Sequence, residues 1–332
     1  MTLVASAIKL CYEHSNSRSN CQFGNTQDCL QQICVLFKLY WCVINAGPSS
    51  CFATSYTLSL LKFCNKYEEW LMSADVHYDE KIIAFLEDLW GDGFLSPGGS
   101  EEVLRVLDGV TISDKSVIDI GCGSGACAIL LARECGARSV VAIDVASPVC
   151  EAANKRVAAN GLSERVSIEL VKPGPLPFAD EVFDVVFSKD SIIHIPDKEA
   201  LALEAYRVLK PGGYFAASDW LISHDNSPSD EMVEYIKAEG LDFAMASPGR
   251  YENAMKNAGF VDVELVDRNA WYSKVAPKEL EWLSGSRKSE LYERHGRELI
   301  DHQINVWSKM VPVVRSGEHC PHHIRAKKPI KG

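Results

Sequence analysis

Apolar runs and amphipathic segments alternate regularly along the chain from residue 78 onward. The runs predict five buried strands at VIDI (117–120), SVVAIDV (139–145), VSIELV (166–171), FDVVFSKD (183–190) and YFAASDW (214–220). Helical spacing and caps predict helices at 79–91, 100–110 with Ser100 as N-cap, 126–136, 147–161, 198–213 ending at Pro211, and 247–260. Two further strands, 261–268 and an edge strand at 322–328, complete the pattern. This order predicts an α/β fold with a mostly parallel seven-stranded sheet and helices on both faces.

Three segments depart from this alternation. Segments 221–246 and 269–321 are rich in aromatic and charged residues, and we expect them to form an inserted substrate lid. Residues 1–70 are rich in Ser, Asn and Cys and show no sustained period. We therefore predict a divergent, poorly ordered N-terminal extension and one folded domain over residues 71–332.

Composition narrows the functional classes. The chain has 332 residues, of which 47% are hydrophobic and 24% charged, as is typical of globular proteins. Its net charge of −11 argues against nucleic acid and anionic membrane surfaces as partners. No apolar run reaches the ~18 residues of a membrane span. We expect a cytoplasmic monomer that acts on a small molecule.

A glycine-rich loop lies between the first predicted strand and the helix that follows it. Gly121, Gly123 and Ala126 fit the G-x-G-x-x-G/A pattern of dinucleotide-binding proteins. Gly121, Gly123 and Gly125 fit equally well the G-x-G-x-G loop of methyltransferases that use S-adenosylmethionine. Asp144 ends the second strand and could bind ribose hydroxyls in either case. The loop by itself leaves both cofactors open.

The surrounding segments favour the methyl donor. The segments LPFADEVFDVVFS (176–188) and RVLKPGG (207–213), together with the acidic Asp119 before the loop, resemble class I methyltransferases. The resemblance implies a Rossmann-like fold and S-adenosylmethionine as cofactor. It implies cofactor contacts from Asp119, Gly121, Gly123, Gly125, Asp144 and Val145. A nicotinamide oxidoreductase is the rival enzyme class.

Three other segments resemble phosphoethanolamine N-methyltransferases: GDGFLSPGG (91–99), SKDSIIHIPD (188–197) and SDW (218–220). That family methylates a phosphorylated amine in successive steps. The resemblance implies His194, Tyr78 and Asp190 as catalytic residues. It adds Leu95, Ser96 and Lys189 to the cofactor contacts, and Trp220, Tyr235 and Lys309 to the substrate contacts.

These residue types suit the implied chemistry. An ammonium group must lose a proton before its nitrogen can attack, and a neutral imidazole can accept that proton near neutral pH. A carboxylate can orient the amine. Aromatic rings, with Trp220, Trp271 and Tyr272 as candidates, attract a methylated ammonium by cation–π interaction.

One position departs from the family pattern. The family carries an Arg four residues after the Tyr of E-Y-[IV]-K, and Glu239 stands there in this chain. A carboxylate repels phosphate, so phosphate binding at this position would need compensating positive charge from Lys309, Arg250 or Lys237. The acceptor is therefore either a phosphoethanolamine-type amine or an unphosphorylated amine, amino acid or thioether.

Two further alternatives stay open at this point. The chain could be a relative that binds the cofactor without catalysis, although Asp144, Asp190 and His194 together argue against this. Several residues near the C-terminus resemble metal ligands: His319, Cys320, His322 and His323. Alternation along a strand explains His322 and His323 equally well, and we expect no metal.

Overall fold

The computed structural model describes residues 78–241 and 243–330, so the predicted extension over residues 1–70 lies outside the described residues. The strands are β1 Ser116–Ile120, β2 Ser139–Asp144, β3 Val166–Leu170, β4 Phe183–Lys189, β5 Leu209–Ile222, β6 Val261–Asp267 and β7 His319–Lys327. The helices are α1 Glu80–Trp90, α2 Gly99–Val106, α3 Ala126–Arg133, α4 Ser147–Ala159, α5 Lys198–Val208, α6 Asp230–Glu239, α7 Pro248–Ala258, α8 Asn269–Ser284, α9 Lys288–His295 and α10 Arg297–Ser316. A 3₁₀ turn, Ile192–His194, follows β4.

The strands form one seven-stranded sheet in the order β3-β2-β1-β4-β5-β7-β6. All pairings are parallel from β3 to β5, and β7 runs antiparallel to both β5 and β6. Consecutive residues of β1 belong to different cores, because Ile118 packs in one hydrophobic cluster and Val117 in another. Both faces of the sheet are therefore covered, as expected for successive side chains on a strand. The predicted fold class is confirmed.

The C-terminal strand is the main correction to the predicted topology. It was expected at an edge, but β7 lies between β5 and β6, and β6 is the edge strand. The sequence HCPHHIRAK suggests a solvated strand because it is largely polar, yet most of its residues are buried. Partners elsewhere in the chain make this burial possible. His323 Nε2, for example, lies 2.7 Å from Glu102 Oε1 on α2.

Two predicted element ends were also wrong. Helix α2 begins at Gly99 after Gly98, which adopts a left-handed φ of 94° and provides no side-chain cap, so Ser100 lies inside the first turn. Helix α5 ends at Val208, and the Pro-Gly-Gly segment belongs to β5. A register shift near Phe183 accommodates this extension of the strand.

The fold brings the candidate functional segments to one edge of the sheet. The glycine loop follows β1, Asp144 ends β2, and the turn with His194 follows β4. These strands are parallel, so their carboxyl ends share the edge at which such sheets bind ligands. The predicted lid segments contain α6, α8, α9 and α10, and their apolar residues pack with α1 in a third cluster. Within residues 78–241 and 243–330, no helix is long and apolar enough to cross a membrane.

Candidate active site

The glycine loop closes around the end of β1 with little room for side chains. Gly121 has a φ of 73°, and a Cβ atom there would lie 2.0 Å from Ser191 Oγ. A Cβ atom on Gly123 would lie 3.0 Å from Leu95 Cδ1. Leu95, a predicted cofactor contact, thus packs against the glycine loop. The third predicted glycine, Gly125, precedes α3 and approaches Ala153 on α4.

Asp144 organises this loop through its carboxylate. Its Oδ2 accepts a hydrogen bond of 3.0 Å from the backbone N–H of Gly123. Its Oδ1 accepts from the backbone N–H groups of Val145 at 2.7 Å and Ala146 at 3.1 Å. Burial raises the pKa of Asp144, although these three hydrogen bonds oppose the change. The structure therefore brings Asp144, Val145 and the glycines together as predicted.

Asp119 on β1 is a buried carboxyl group with an unpaired oxygen. Asp119 is 1% exposed, and its Oδ2 has no hydrogen-bond partner among residues 78–241 and 243–330. Burial, and then the neighbouring Asp144 carboxylate, raise the pKa of Asp119 to about 8. A buried polar atom without a partner is costly, and in native proteins it is usually explained by a ligand, water or function.

These groups fit the cofactor implied by the sequence. S-adenosylmethionine carries positive charge on both its sulfonium and its amino group, and two buried carboxyl groups favour a cation. The unpaired oxygen of Asp119 can accept from the amino group, and Asp144 has remaining lone pairs for ribose hydroxyls. The glycines leave the loop backbone open to close approach.

Lys189 and Asp190, at the end of β4, form a second polar centre. The Lys189 ammonium donates to Ser96 Oγ at 2.6 Å, to the Pro97 carbonyl at 2.9 Å and to Asp190 Oδ2 at 2.7 Å. Asp190 Oδ1 accepts from Ser218 Oγ at 2.7 Å. Asp190 adopts a left-handed φ of 56°, a backbone conformation that often accompanies functional strain. The predicted residues Ser96, Lys189 and Asp190 are thus in direct contact.

His194 lies in the 3₁₀ turn only four residues after Asp190. Its backbone N–H donates to the Ser191 carbonyl at 3.2 Å. Its ring centroid lies 5.7 Å from that of Phe243, which belongs to the predicted lid. The imidazole is therefore at the boundary between the end of β4 and the lid.

Tyr78 precedes α1 and packs against the hydrophobic clusters under the lid. Burial raises the pKa of its hydroxyl, and the nearby carboxylates of Asp144 and Glu239 raise it further. The hydroxyl therefore remains protonated near neutral pH, where it can donate a hydrogen bond but cannot act as a phenolate base. This placement puts Tyr78 between the cofactor loop and the lid helix α6.

Glu239, at the end of α6, is the departure noted in the sequence. Burial raises its pKa to about 7. It also contributes to the raised pKa of Tyr235, another buried residue of α6. A carboxyl group thus occupies the region in which the resemblance predicted a phosphate-binding cation.

Aromatic rings form a continuous wall from the His194 turn into the lid. Tyr235 lies 6.2 Å from Phe243 and 5.1 Å from His319, measured between ring centroids. Trp220 stacks on His319 at 4.9 Å and meets Tyr272 edge-on at 4.6 Å. Trp220 also borders a small cavity next to Asp190 and Ser218. The predicted substrate contacts Trp220 and Tyr235 therefore share this aromatic wall.

Two of the three candidate phosphate-binding cations, Lys309 and Arg250, form ion pairs with glutamates. Lys309 Nζ lies 3.2 Å from Glu234 Oε2, and the Lys309 side chain is 33% exposed. Arg250 forms a bidentate pair with Glu199, at 3.0 Å and 2.7 Å. Both pairs are partly solvated and therefore weak. Lys309 is thus held by Glu234, the residue before Tyr235 on α6.

The sequence reasoning missed several residues that hold the site together. Ser188 and Ser191 both donate to the Ile120 carbonyl at 2.8 Å and thereby join the β4 end to the β1 end. Glu279 on α8 accepts from Trp90 Nε1 at 2.8 Å, Tyr272 Oη at 2.9 Å and Trp307 Nε1 at 3.1 Å. The two serines lie in the quoted SKDSIIH segment and could have been noticed. Glu279 gave no local signal.

Comparisons with known proteins agree with this geometry. The family model described as "Methyltransferase domain" matches residues 118–217, which run from β1 into β5. Residues 118–217 are therefore similar to methyltransferase domains, and the sheet has the Rossmann-like fold of class I methyltransferases. The predicted resemblance is confirmed as well, because phosphoethanolamine N-methyltransferase 1 of Arabidopsis thaliana is 32% identical over 245 residues. The corresponding enzyme of Zea mays is 31% identical over 245 residues.

A solved structure extends this similarity to three dimensions. Phosphoethanolamine N-methyltransferase 2 of Haemonchus contortus, in complex with phosphomonomethylethanolamine and S-adenosylhomocysteine, matches with a TM-score of 0.70 and 25% identity. The match covers 76% of this chain and 59% of that chain. The two plant matches cover 74% of this chain and 48% of each relative. The chain thus spans about half the length of the curated relatives it matches.

Proposed function

We propose that this chain transfers a methyl group from S-adenosylmethionine to the nitrogen of a small-molecule amine of the phosphoethanolamine type. One observation carries the proposal: the glycine loop and the turn with Asp190 and His194 meet at a single point. There Ser191 Oγ donates to the Ile120 carbonyl at 2.8 Å. A bound cofactor and an acceptor amine would therefore be neighbours. The similarity to phosphoethanolamine N-methyltransferases supports the same reaction.

The residues of the chain divide into cofactor and acceptor groups. When bound, S-adenosylmethionine supplies a methyl group made electrophilic by its positively charged sulfur. Asp119 accepts from the cofactor's amino group, while Asp144 and the glycine loop hold its ribose. Leu95 packs against Gly123 of that loop, and Lys189 holds the neighbouring Ser96 by a hydrogen bond. Most of the rate acceleration should come from holding donor and acceptor in line, because binding then removes the entropic cost of bringing them together in the transition state.

The acceptor nitrogen must lose one proton before its lone pair can form the new bond to carbon. Asp190, fixed by Lys189 and Ser218, orients the nitrogen and favours its developing positive charge. The His194 imidazole accepts the proton. Tyr78 stays protonated and closes over the ligands as a hydrogen-bond donor.

A second acceptor class is favoured by Glu239. Its half-buried carboxyl group and the aromatic wall suit an unphosphorylated amine better than a dianionic phosphate, which usually binds Arg. Phosphate binding would require Lys309 or Arg250 to leave its partner, or Lys237 to supply the positive charge. We therefore retain an N- or S-methyltransferase of an unphosphorylated acceptor as the second candidate. In either case we propose a cytoplasmic monomer that uses a small-molecule substrate.

The test is a methyl-transfer reaction with the full chain, S-adenosylmethionine, and either phosphoethanolamine or ethanolamine. Mass spectrometry of the products identifies the acceptor, and calorimetry with S-adenosylhomocysteine measures cofactor binding separately. Methylated phosphoethanolamine supports the first candidate, and methylated ethanolamine alone supports the second. Failure to bind S-adenosylhomocysteine refutes both.

A matched pair of variants tests the proposed base. His194→Ala should lower turnover at least ~100-fold, as expected for loss of a general base, with cofactor affinity nearly unchanged. His302→Ala, at an exposed position of α10, is the control and should keep parental turnover. Parental turnover in His194→Ala would remove this residue from the mechanism.

A further inference from the structure

A network of three buried polar side chains lies next to the turn that carries His194, and two of them bind its backbone. Lys198 on α5 donates to the Ile192 carbonyl at 2.7 Å and to the Ile195 carbonyl at 2.6 Å. Asp219 on β5 accepts from the Ile193 N–H at 2.8 Å through Oδ1. These bonds fix backbone groups on both sides of His194. The turn is thus defined by side chains that come from other elements.

The third side chain completes the network. Tyr251 on α7 donates its hydroxyl hydrogen to Asp219 Oδ2 at 2.5 Å. The Lys198 ammonium lies 5.3 Å from the centroid of the Tyr251 ring. Lys198, Asp219 and Tyr251 are each 0% exposed. The network therefore links α5, β5 and α7 beneath a single turn.

Stability alone does not explain such a network. Burying an ammonium and a carboxyl group costs free energy, and well-packed apolar residues of similar size often stabilise a protein equally well. Buried polar groups can instead be retained because they specify one conformation. The proposed reaction uses none of these three side chains directly. Their contacts converge on the backbone of residues 192–195.

The same strand also positions the other acceptor-facing group. Ser218 precedes Asp219 on β5, and its hydroxyl donates to Asp190 Oδ1 at 2.7 Å. The Asp190 N–H donates to the Ser218 carbonyl at 2.8 Å. Consecutive residues of β5 thus fix the position of Asp190 relative to the turn that carries His194. A small shift of the turn would change the distance between the proposed base and the carboxylate that orients the amine.

We propose that Asp219, Lys198 and Tyr251 are positioning residues that fix the His194 imidazole relative to Asp190. This inference rests on the proposed function of His194. It predicts that loosening the network lowers the rate of methyl transfer without weakening the cofactor site, because the glycine loop, Asp119 and Asp144 make none of these contacts.

The mildest perturbation is Tyr251→Phe, which removes one hydroxyl and keeps the ring in the core. We expect kcat to fall about 10-fold, as for a misplaced catalytic group. KM for the acceptor and the Kd of S-adenosylhomocysteine should change less than about twofold, since neither binding site loses a contact. Tyr206→Phe on α5 is the control, because that ring also packs on Phe260 in the same core. The control should keep the parental kcat.

A second measurement reports on the imidazole without any turnover. Histidine labelled with ¹⁵N gives ring resonances, and the His194→Ala spectrum assigns the signal of His194. Tyr251→Phe should shift the His194 signals and its titration midpoint, while the signal of exposed His302 should stay in place. Lys198→Met should shift the His194 signals further, because it removes both carbonyl contacts.

The outcomes separate this inference from the proposed function. If the parent binds S-adenosylhomocysteine but methylates no tested acceptor, the proposed function fails, and the His194 spectrum still tests the positioning role. Unchanged His194 signals in Tyr251→Phe and in Lys198→Met would overturn the inference. So would an equal loss of kcat in Tyr206→Phe, because that result indicates a general packing effect.

Discussion

Replacing Asp119 by Asn should strengthen the fold and weaken the cofactor site at the same time. The carboxyl group is buried, one of its oxygens is unpaired, and its pKa is raised to about 8. The pKa of this carboxyl group is higher in the folded state than its ordinary value of 3.8. Its contribution to stability is therefore fully present below pH 3.8 and is lost as the pH rises to about 8. In the ligand-free protein, Asp119 therefore destabilises the fold near neutral pH.

The magnitude follows from proton linkage. Between the ordinary pKa and pH 7, keeping this carboxyl protonated costs about 4 kcal/mol, at about 1.4 kcal/mol per pH unit. Asn avoids this cost but leaves a buried amide incompletely bonded, which costs about 1–3 kcal/mol. We expect Asp119→Asn to raise the free energy of unfolding by about 1–3 kcal/mol at pH 7. The gain should shrink by about 2–3 kcal/mol on going from pH 7 to pH 5.

Cofactor binding should change in the opposite direction. The loss of a charge-assisted hydrogen bond to the cofactor's amino group is worth about 1.5–3 kcal/mol, so S-adenosylhomocysteine should bind about 10- to 100-fold more weakly. Binding to the parent should also release a proton from Asp119. Calorimetry in buffers of different ionisation enthalpy measures that proton, and the variant should release about one fewer.

The assay pairs urea unfolding at several pH values with calorimetry, and Asp184→Asn is the control. Burial acts on Asp184 too, but hydrogen bonds from Ser116 and Lys210 lower its pKa to about 2. Asp184→Asn should therefore destabilise the fold near neutral pH and leave cofactor affinity unchanged. Equal stability changes of the same sign in both variants, with parental cofactor affinity in Asp119→Asn, would refute the reasoning.

Three other residues provide further tests: Glu102, Glu239 and Gly121. Burial by itself would raise the pKa of Glu102, but hydrogen bonds from His323 and Arg268 lower it to about 2. The contribution of Glu102 to the stability of the fold is therefore present above pH 4.5 and lost as the pH falls to 2. In urea titrations, the destabilisation by Glu102→Gln should be about 1–2 kcal/mol smaller at pH 3.5 than at pH 7. Glu239→Gln should lower KM for phosphoethanolamine but not for ethanolamine in steady-state kinetics, since it removes a partial negative charge; an equal change for both amines would place Glu239 away from the phosphate. Gly121→Ala should lower the thermal midpoint and cofactor affinity together, because its Cβ atom meets Ser191 Oγ at 2.0 Å; calorimetric values equal to those of the parent would contradict this geometry.

The cofactor half of the site was predictable because it is local in sequence. Residues 116–145 contain β1, the glycine loop, α3, β2 and Asp144, and the apolar runs of the two strands fix their positions. Parallel pairing then brings Asp119 and Asp144 to one edge. What the sequence did not reveal was the reason for the first glycine. Its neighbour Ser191 lies 70 residues later, and it approaches only because β4 pairs with β1.

The acceptor half was less predictable because its residues come from distant segments. Tyr78, the 190–194 turn, Trp220 and Tyr235 meet only after β4, β5 and the lid helices have packed. Polar residues in β7 and at Asp219 indicate solvent exposure by pattern, yet most of β7 is buried, and buried Asp219 accepts a hydrogen bond from the Ile193 N–H. The family resemblance supplied these positions, and their role in binding an acceptor stays a prediction. Glu239 lies on a lid helix, whereas the glycine loop, Asp119 and Asp144 lie on the sheet. A change of acceptor can therefore arise by substitution in the lid while the cofactor site is preserved.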